Sequence, residues 1–163
     1  MRQRVRATAD DVMAVYVDFD SQSRYVPNLL QCRIARRLAA NRFEVFYEYR
    51  APMLNERYTA DVTIARTATG YRMTSGLIQA RYTRRLDGDL RVEALGPESL
   101  VVYTNRIDPG RLGATFSSPA TVADRMVASM RANAAEVERM RSEDPEALSR
   151  LVRQLSQMLE SRS

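Results

Sequence analysis

The sequence lacks the residues on which most metal and nucleophile chemistry depends. Its 163 residues contain no histidine, no tryptophan and a single cysteine, Cys32. Zinc sites, two-histidine iron sites and histidine-dependent catalytic triads therefore have no residues from which to form. A disulfide within the chain is also excluded, which is compatible with a reducing compartment. We accordingly expect neither a metal nor a cofactor.

Long hydrophobic runs are absent as well. No segment approaches the roughly 18 consecutive apolar residues of a transmembrane helix. The charged start at Met1 has no apolar stretch behind it, so no signal peptide is visible. We expect a cytoplasmic protein, or a periplasmic one if a signal peptide was removed before Met1. With 45% hydrophobic residues, the chain is too apolar to be disordered and long enough for one domain with a core.

The positive charge is carried by arginine alone. All 25 basic residues are Arg, which is typical of a GC-rich bacterial genome, and the formal net charge is +5. Two groups of arginines, at residues 33–42 and 81–91, lie in segments that alternate apolar with polar residues and also contain Asp and Glu. This pattern favours an outward sheet face of mixed charge over the single-signed patch that nucleic acid requires. Binding to RNA or the ribosome is a minor alternative.

The spacing of apolar residues predicts the order of the secondary structure. A short strand at residues 2–6 precedes a helix, for which Thr8 has the form of an N-cap. Strands joined by short turns follow, because apolar and polar residues alternate from Leu30, with Cys32 also facing inward, to Ile107. Two amphipathic helices complete the chain and are separated at Asp144–Pro145. One α+β domain with a helical tail is therefore expected.

Four segments carry a resemblance to a known superfamily. Asp18-Phe19-Asp20 ends the first helix, and Tyr25-Val26-Pro27-Asn28-Leu29 precedes the second strand. Gly88–Gly96 and Leu100–Gly110 look like the sixth and seventh strands of the family. Over about Ala7 to Met140 the chain thus resembles the START-like (SRPBCC) superfamily, which includes polyketide cyclase/dehydrase and coenzyme Q-binding proteins. The chain departs from the family pattern in three ways. Leu90 stands where the family often has Trp, the first strand is shorter than usual, and a tail follows Ser142.

The resemblance implies a helix-grip fold. In this fold a curved antiparallel sheet of six to seven strands wraps around a long C-terminal helix, and a cavity lies between them. We expect residues 1–141 to form this domain and residues 142–163 to form an amphipathic helical extension. The apolar stripe of the extension is flanked by Arg150, Arg153 and Arg162, but Glu146, Glu160 and the modest number of arginines favour packing on the domain. Pairing with another copy or transient contact with a membrane surface are the alternatives, and the oligomeric state is left open.

The inward rows of the predicted strands hold more polar and aromatic residues than a structural core needs. A buried hydroxyl or amide without a partner costs about 1–3 kcal/mol, so these groups either bond to one another or to water, or face a cavity. Asn105 stands out because it lies between Tyr103 and Ile107. Met126 and Met130 occupy the helix face that would close the cavity, where Met adapts to irregular partners but is usually core. The candidate cavity residues are Tyr47, Tyr49, Tyr58, Val62, Tyr71, Met73, Ser75, Tyr103, Asn105, Met126 and Met130.

These residues favour a binding protein over an enzyme. We expect a hydrophobic small molecule (a lipid, sterol, quinone or polyketide-like compound) to be held in the cavity for transport, sequestration or presentation. The alternative is a cyclase/aromatase-like enzyme that acts on a polyketide and uses a tyrosine as acid. No catalytic residue is assigned, because Cys32 is expected to be a buried inert thiol and no carboxylate pair has apolar surroundings.

Overall fold

Three short elements begin the chain, and the first of them is an edge strand of the sheet. In a computed structural model, residues 1–51, 55–111 and 119–160 are described. Strand β1 (Arg2–Val5) is followed by helix α1 (Ala9–Tyr16) and a 3₁₀ helix (Phe19–Arg24). The Thr8 Oγ1 atom accepts a hydrogen bond of 3.2 Å from the Asp11 backbone N–H, so the predicted N-cap is confirmed.

The remaining strands form an antiparallel meander. They are β2 (Leu29–Ala39), β3 (Arg42–Tyr49), β4 (Glu56–Thr67), β5 (Gly70–Ala80), β6 (Arg85–Leu95) and β7 (Glu98–Asp108). The strand order in the seven-stranded sheet is β1-β7-β6-β5-β4-β3-β2, so each strand after β1 pairs with the next along the chain. The open, curved sheet with helices after it is the START-like helix-grip fold, as the sequence predicts. The predicted turn at residues 52–54 lies outside the described residues.

Residues 119–160 form two consecutive helices. Helix α2 (Pro119–Glu143) and helix α3 (Pro145–Glu160) meet at Asp144, whose Oδ1 atom accepts a hydrogen bond of 3.1 Å from the Ala147 N–H. A proline at the first position of α3 and a carboxylate cap are both favourable at a helix start, which explains why the chain breaks there. Within the described ranges, no helix has the length and apolar character needed to span a bilayer.

Helix α3 is part of the main hydrophobic core. Its backbone packs mainly on α1, and Leu148 and Leu155 are buried in the same cluster as Val12 of α1 and Val137 of α2. The apolar stripe that the sequence predicts for the extension is therefore used in packing on the domain. Residues 161–163, which include the predicted flanking Arg162, lie outside the described part of the chain.

An irregularity in β2 overturns one prediction. The pairing of β2 with β3 shifts register between Leu29 and Gln31, which is the signature of a bulge. Leu30, predicted to face inward, is 39% exposed, whereas Leu29 is only 4% exposed. Because one extra residue reverses the alternation of faces, the prediction for Leu30 is wrong. Cys32 is buried as predicted, and this burial raises the pKa of its thiol far above the usual range.

The outer face of the sheet carries mixed charge, as predicted. Most of its arginines form ion pairs with carboxylates on the same or the neighbouring strand. The pairs are Arg36–Glu44, Arg42–Asp61, Arg57–Glu48, Arg72–Asp89, Arg91–Asp89 and Arg85–Asp87. Exposed pairs of this kind add little stability, about 0–1 kcal/mol each, but they divide the positive charge among local partners.

Candidate functional site

A cavity of about 100 Å³ lies between the inward face of the sheet and helix α2. All the predicted cavity residues except Tyr71 and Asn105 line it. These are Tyr47, Tyr49, Tyr58, Val62, Met73, Ser75, Tyr103, Met126 and Met130. The sequence did not single out the other lining residues, which are Tyr16, Phe19, Gln22, Ala60, Leu86, Gly88, Leu90, Ser129 and Asn133.

One end of the cavity is polar because of a row of residues across three strands. Ser75 is opposite Gly88, and Gly88 is opposite Asn105, so all three share the inward face. A Cβ atom at Gly88 would lie 2.3 Å from the Ser75 Oγ atom and 3.5 Å from the Tyr103 hydroxyl oxygen. The missing side chain of Gly88 therefore leaves a space beside which both the Ser75 and the Tyr103 hydroxyls lie.

Asn105 reaches this end of the cavity through Tyr103. Its Nδ2 atom donates a hydrogen bond of 3.0 Å to the Tyr103 hydroxyl oxygen. Its Oδ1 atom is buried and has no hydrogen-bond donor among the described residues. Burial raises the pKa of Tyr103 to about 12, while the Asn105 hydrogen bond opposes the rise. At neutral pH the Tyr103 hydroxyl is thus protonated, and its oxygen already accepts one bond.

Stacked tyrosines form one wall of the cavity. Tyr47 and Tyr58 are paired across β3 and β4, and their ring centroids lie 4.9 Å apart with planes 22° from parallel. Tyr49 extends the stack, with its centroid 6.2 Å from that of Tyr58. Burial raises the pKa of the Tyr47 and Tyr58 hydroxyls well above their usual range. The wall is therefore aromatic and uncharged at any physiological pH.

The 3₁₀ helix is attached to α1 and α2 by a second group of amides. Gln22 Nε2 donates a hydrogen bond of 2.8 Å to the Tyr16 carbonyl oxygen. The Tyr25 hydroxyl donates a hydrogen bond of 3.3 Å to Asn133 Oδ1. Asn133 Nδ2 in turn donates to the Ser129 carbonyl at 2.9 Å. These contacts satisfy polar groups within the protein, so we interpret Gln22 and Asn133 as structural parts of the cavity wall.

Tyr71 lies at a different place from the one predicted. It is buried against α1, where its hydroxyl donates a bond of 2.6 Å to Asp10 Oδ1 and the Arg66 guanidinium lies 5.1 Å from its ring centroid. The inward row of β5 continues past the end of the cavity, so facing inward does not place a residue in the cavity. Tyr71 is therefore a core residue next to α1.

The chemistry available to the cavity is that of neutral groups. None of its described lining residues carries a charge at neutral pH. In the described ranges, no group of three or more His, Cys, Asp or Glu side chains could hold a metal ion. The hydroxyls of Tyr103 and Ser75 can donate and accept hydrogen bonds, and the remaining wall is suited to apolar surface.

Comparison with known families agrees with this geometry. A family model described as polyketide cyclase/dehydrase and lipid transport matches residues 1–139. The chain belongs to this family. The START-like resemblance seen in the sequence is thereby confirmed, and the family and the fold fit a domain that binds hydrophobic ligands. A search of curated proteins found no match.

Solved structures show the same fold. The Zhui aromatase/cyclase from Streptomyces sp. R1128 superposes with a TM-score of 0.71 at 19% identity, covering 86% of this chain and 92% of that one. A STAR-related lipid transfer protein from Xanthomonas axonopodis gives 0.68 at 17% identity, with coverages of 84% and 83%. A START superfamily protein from Mycobacterium smegmatis gives 0.67 at 13%, with coverages of 86% and 96%. At these identities the likeness shows the fold alone.

Two strand glycines provide a matched test of the crowded polar end. A Cβ at Gly76 would meet nothing within 4 Å, so Gly76→Ala should stabilise the fold by about 0.4–1 kcal/mol by restricting the unfolded chain. Gly88→Ala must displace the Ser75 hydroxyl, so we expect a smaller gain or none. Urea unfolding of both variants measures the difference. Equal stabilisation would contradict the close approach of Ser75 to Gly88.

Proposed function

We propose that this protein binds a hydrophobic small molecule with one polar group, such as a lipid, sterol, quinone or polyketide-like compound. Transport, sequestration or presentation of that molecule would be its role. The observation that supports the proposal most strongly is the uncharged cavity, which has an aromatic wall and hydroxyls gathered at one end. Burial of the ligand's apolar surface would supply affinity at about 25 cal/mol per Å². The Ser75 and Tyr103 hydroxyls would orient its polar group.

The size of the cavity limits what it holds without rearrangement. At about 100 Å³ it is smaller than a 150 Å³ cavity that accepts benzene, and smaller than the roughly 300–1,000 Å³ of most ligand pockets. As it stands, the cavity is smaller than one known to accept a benzene ring, so even a ligand of one ring would require some movement of its walls. A larger ligand would require the side chains around that space, or helix α2, to move.

The first half of α2 is the element best suited to such movement. Residues 120–129 are exposed or half-buried, whereas Met130, Val137 and Met140 in the second half are buried. The backbone of α2 lies closest to α1 and α3 rather than to a strand. We propose that the first half of α2 shifts outward on binding and that Met126 and Met130 adapt to the shape of the ligand, as unbranched side chains do.

Ligand titration tests the proposal directly. We expect the purified protein to bind at least one of ubiquinone-1, cholesterol and oleate at a ratio of one to one, measured by native mass spectrometry. Tyrosine fluorescence provides a second readout for the quinone, because the chain has no tryptophan. The proposal would be contradicted if none of the three compounds forms a complex and no small molecule can be extracted from the purified protein.

A cyclase-like activity is the second candidate. It is favoured by the Tyr103 hydroxyl, which lines the cavity and keeps its proton, as a general acid must. In an enzyme, Tyr103→Phe would lower turnover of a polyketide analogue by about 10²-fold or more. In a carrier, the same variant would bind its ligand somewhat more weakly and have no turnover to lose.

Transient contact of α3 with a membrane surface is the alternative to packing that the sequence left open. Leu148 and Leu155 are already buried against the domain, so only the outer edge of the helix would touch lipid unless α3 detaches. Co-sedimentation with anionic vesicles measures this contact. No binding at low salt would exclude a role for α3 in collecting ligand from a bilayer.

A further inference from the structure

We propose that Asn105 is a positioning residue that makes the Tyr103 hydroxyl a hydrogen-bond donor toward the cavity. The cavity would then prefer ligands whose polar group only accepts hydrogen bonds, such as a ring ketone, over the matching alcohol. This inference rests on the proposed function, since it concerns how the cavity selects its ligand.

The hydrogen-bond geometry supports this role for Asn105. The Asn105 Nδ2 atom can only donate, and it donates a hydrogen bond of 3.0 Å to the Tyr103 hydroxyl oxygen. Among the described residues, none accepts the Tyr103 proton, while Tyr103 itself lines the cavity. The proton is therefore available for an acceptor inside the cavity. A ligand carbonyl oxygen would satisfy it without a further partner. An alcohol would also need an acceptor for its own O–H, and among the described lining residues at this end only the Ser75 hydroxyl could act as one.

Asn105 lacks the structural explanation that fits the other buried amides. Gln22 and Asn133 each join one element to another through their hydrogen bonds. Among the described residues, the Asn105 side chain bonds only to Tyr103 on the same strand face, and its buried Oδ1 atom has no donor there. A leucine of similar shape would avoid that cost to stability. What the amide provides in return is control over the direction of the Tyr103 proton.

Three probes of one ring each separate these preferences. They are 4-fluoroacetophenone, 1-(4-fluorophenyl)ethanol and 4-fluoroethylbenzene, and their affinities are measured by fluorine NMR. In the wild type we expect the ketone to bind about fivefold more tightly than the alcohol or the hydrocarbon, which is the range of one hydrogen bond. Tyr103→Phe should reduce the ketone to the affinity of the hydrocarbon.

Variants at Asn105 distinguish positioning from a merely structural role. Asn105→Asp places an acceptor beside Tyr103, so the hydroxyl turns its proton away from the cavity and the ratio of ketone to alcohol affinity should invert. Asn105→Leu should bring that ratio toward one. A structural role would change the affinities for all three probes by one factor and leave the ratio intact. That outcome, or a wild type that prefers the alcohol, would overturn the inference.

A second readout does not require a ligand. With 3-fluorotyrosine placed at position 103, the phenol is more acidic and titrates before the protein unfolds in alkali. Because the Asn105 N–H stabilises the phenolate, Asn105→Leu should raise the pKa at position 103 by roughly half to one pH unit. A fall in the pKa would mean that the amide accepts from Tyr103, and would overturn the inference. Failure of all three probes to bind, with the expected rise in pKa, would count against the proposed function instead.

Discussion

Leu155→Ala is expected to lower the free energy of unfolding by about 2–5 kcal/mol, as removal of a fully buried leucine usually does. Leu155 is 1% exposed and lies in the core cluster that also holds α1 residues and Val137 of α2. Its loss leaves a cavity in that cluster, which adds to the lost burial. Urea unfolding followed by far-UV circular dichroism measures the change, with the exposed neighbour Gln154→Ala as control.

Removal of α3 is expected to destabilise the protein more than Leu155→Ala does. A chain that ends at Asp144 loses both Leu148 and Leu155 and exposes the face of α1 on which α3 packs. We expect this chain to be unfolded or to aggregate at 25 °C. The free energy of unfolding of a small domain is only about 5–15 kcal/mol, and we expect the loss of both buried leucines and of the helix to exceed it. A truncated chain as stable as the full one would show that α3 is dispensable. A change below about 0.5 kcal/mol in Leu155→Ala would lead to the same conclusion.

Ser75→Leu is expected to separate stability from binding. The leucine side chain would extend into the cavity of about 100 Å³ and replace a hydroxyl with apolar surface. Filling a cavity commonly stabilises a protein by about 0.5–2 kcal/mol, so the melting temperature should rise. Ligand affinity should fall at least tenfold, because the occupied space and the lost hydroxyl are both at the polar end.

The control for this variant is Thr74→Leu on the opposite face of the same strand. Thr74 is paired with Asp89 on the outer face, where a change leaves the cavity unaltered. It should affect ligand affinity by less than about twofold, since it makes no contact with the cavity. If Ser75→Leu keeps full affinity, the ligand does not bind in this cavity. If Ser75→Leu instead lowers the free energy of unfolding, as a mutation that overfills a core does, the cavity does not have room for the added side chain.

The fold could be predicted from the sequence because its signals are local. Alternation of apolar and polar residues marks each strand, and Thr8 and Asp144 cap their helices through contacts within one turn. The order of these elements, with short turns between them, restricts the topology to a meander. Leu30 shows the limit of this reasoning, since alternation does not reveal where a bulge inserts one extra residue.

The site could be predicted only in part because a cavity is a property of three-dimensional packing. The inward rows identified the tyrosines, Met73 and Ser75, but Tyr71 shows that such a row also passes through ordinary core. Gln22 lies in a polar segment without periodicity, so no sequence signal pointed to it. Asn133 lies in the apolar stripe of α2, where an amide among methionines was an available signal.

The absences in the sequence acquire a specific meaning in the structure. The chain has no histidine, its one thiol is buried, and no arginine is among the described residues that line the cavity. The polar groups of the cavity are therefore phenols, serine hydroxyls and amides, and the rest of its wall is apolar. Such groups stay uncharged from acid to moderately alkaline pH, because burial raises the pKa of the tyrosine hydroxyls. Ligand binding should therefore vary little between about pH 5 and pH 9 for a ligand that does not itself titrate.

Native mass spectrometry of the wild type beside Ser75→Leu tests the central claim most directly. Both proteins are purified identically, measured as isolated, and measured again after addition of ubiquinone-1 and of 4-fluoroacetophenone. We expect a one-to-one complex for the wild type, either carried through purification or formed on addition, and a free protein for Ser75→Leu. A wild type that remains free in every sample, or a Ser75→Leu variant that binds equally well, would contradict it.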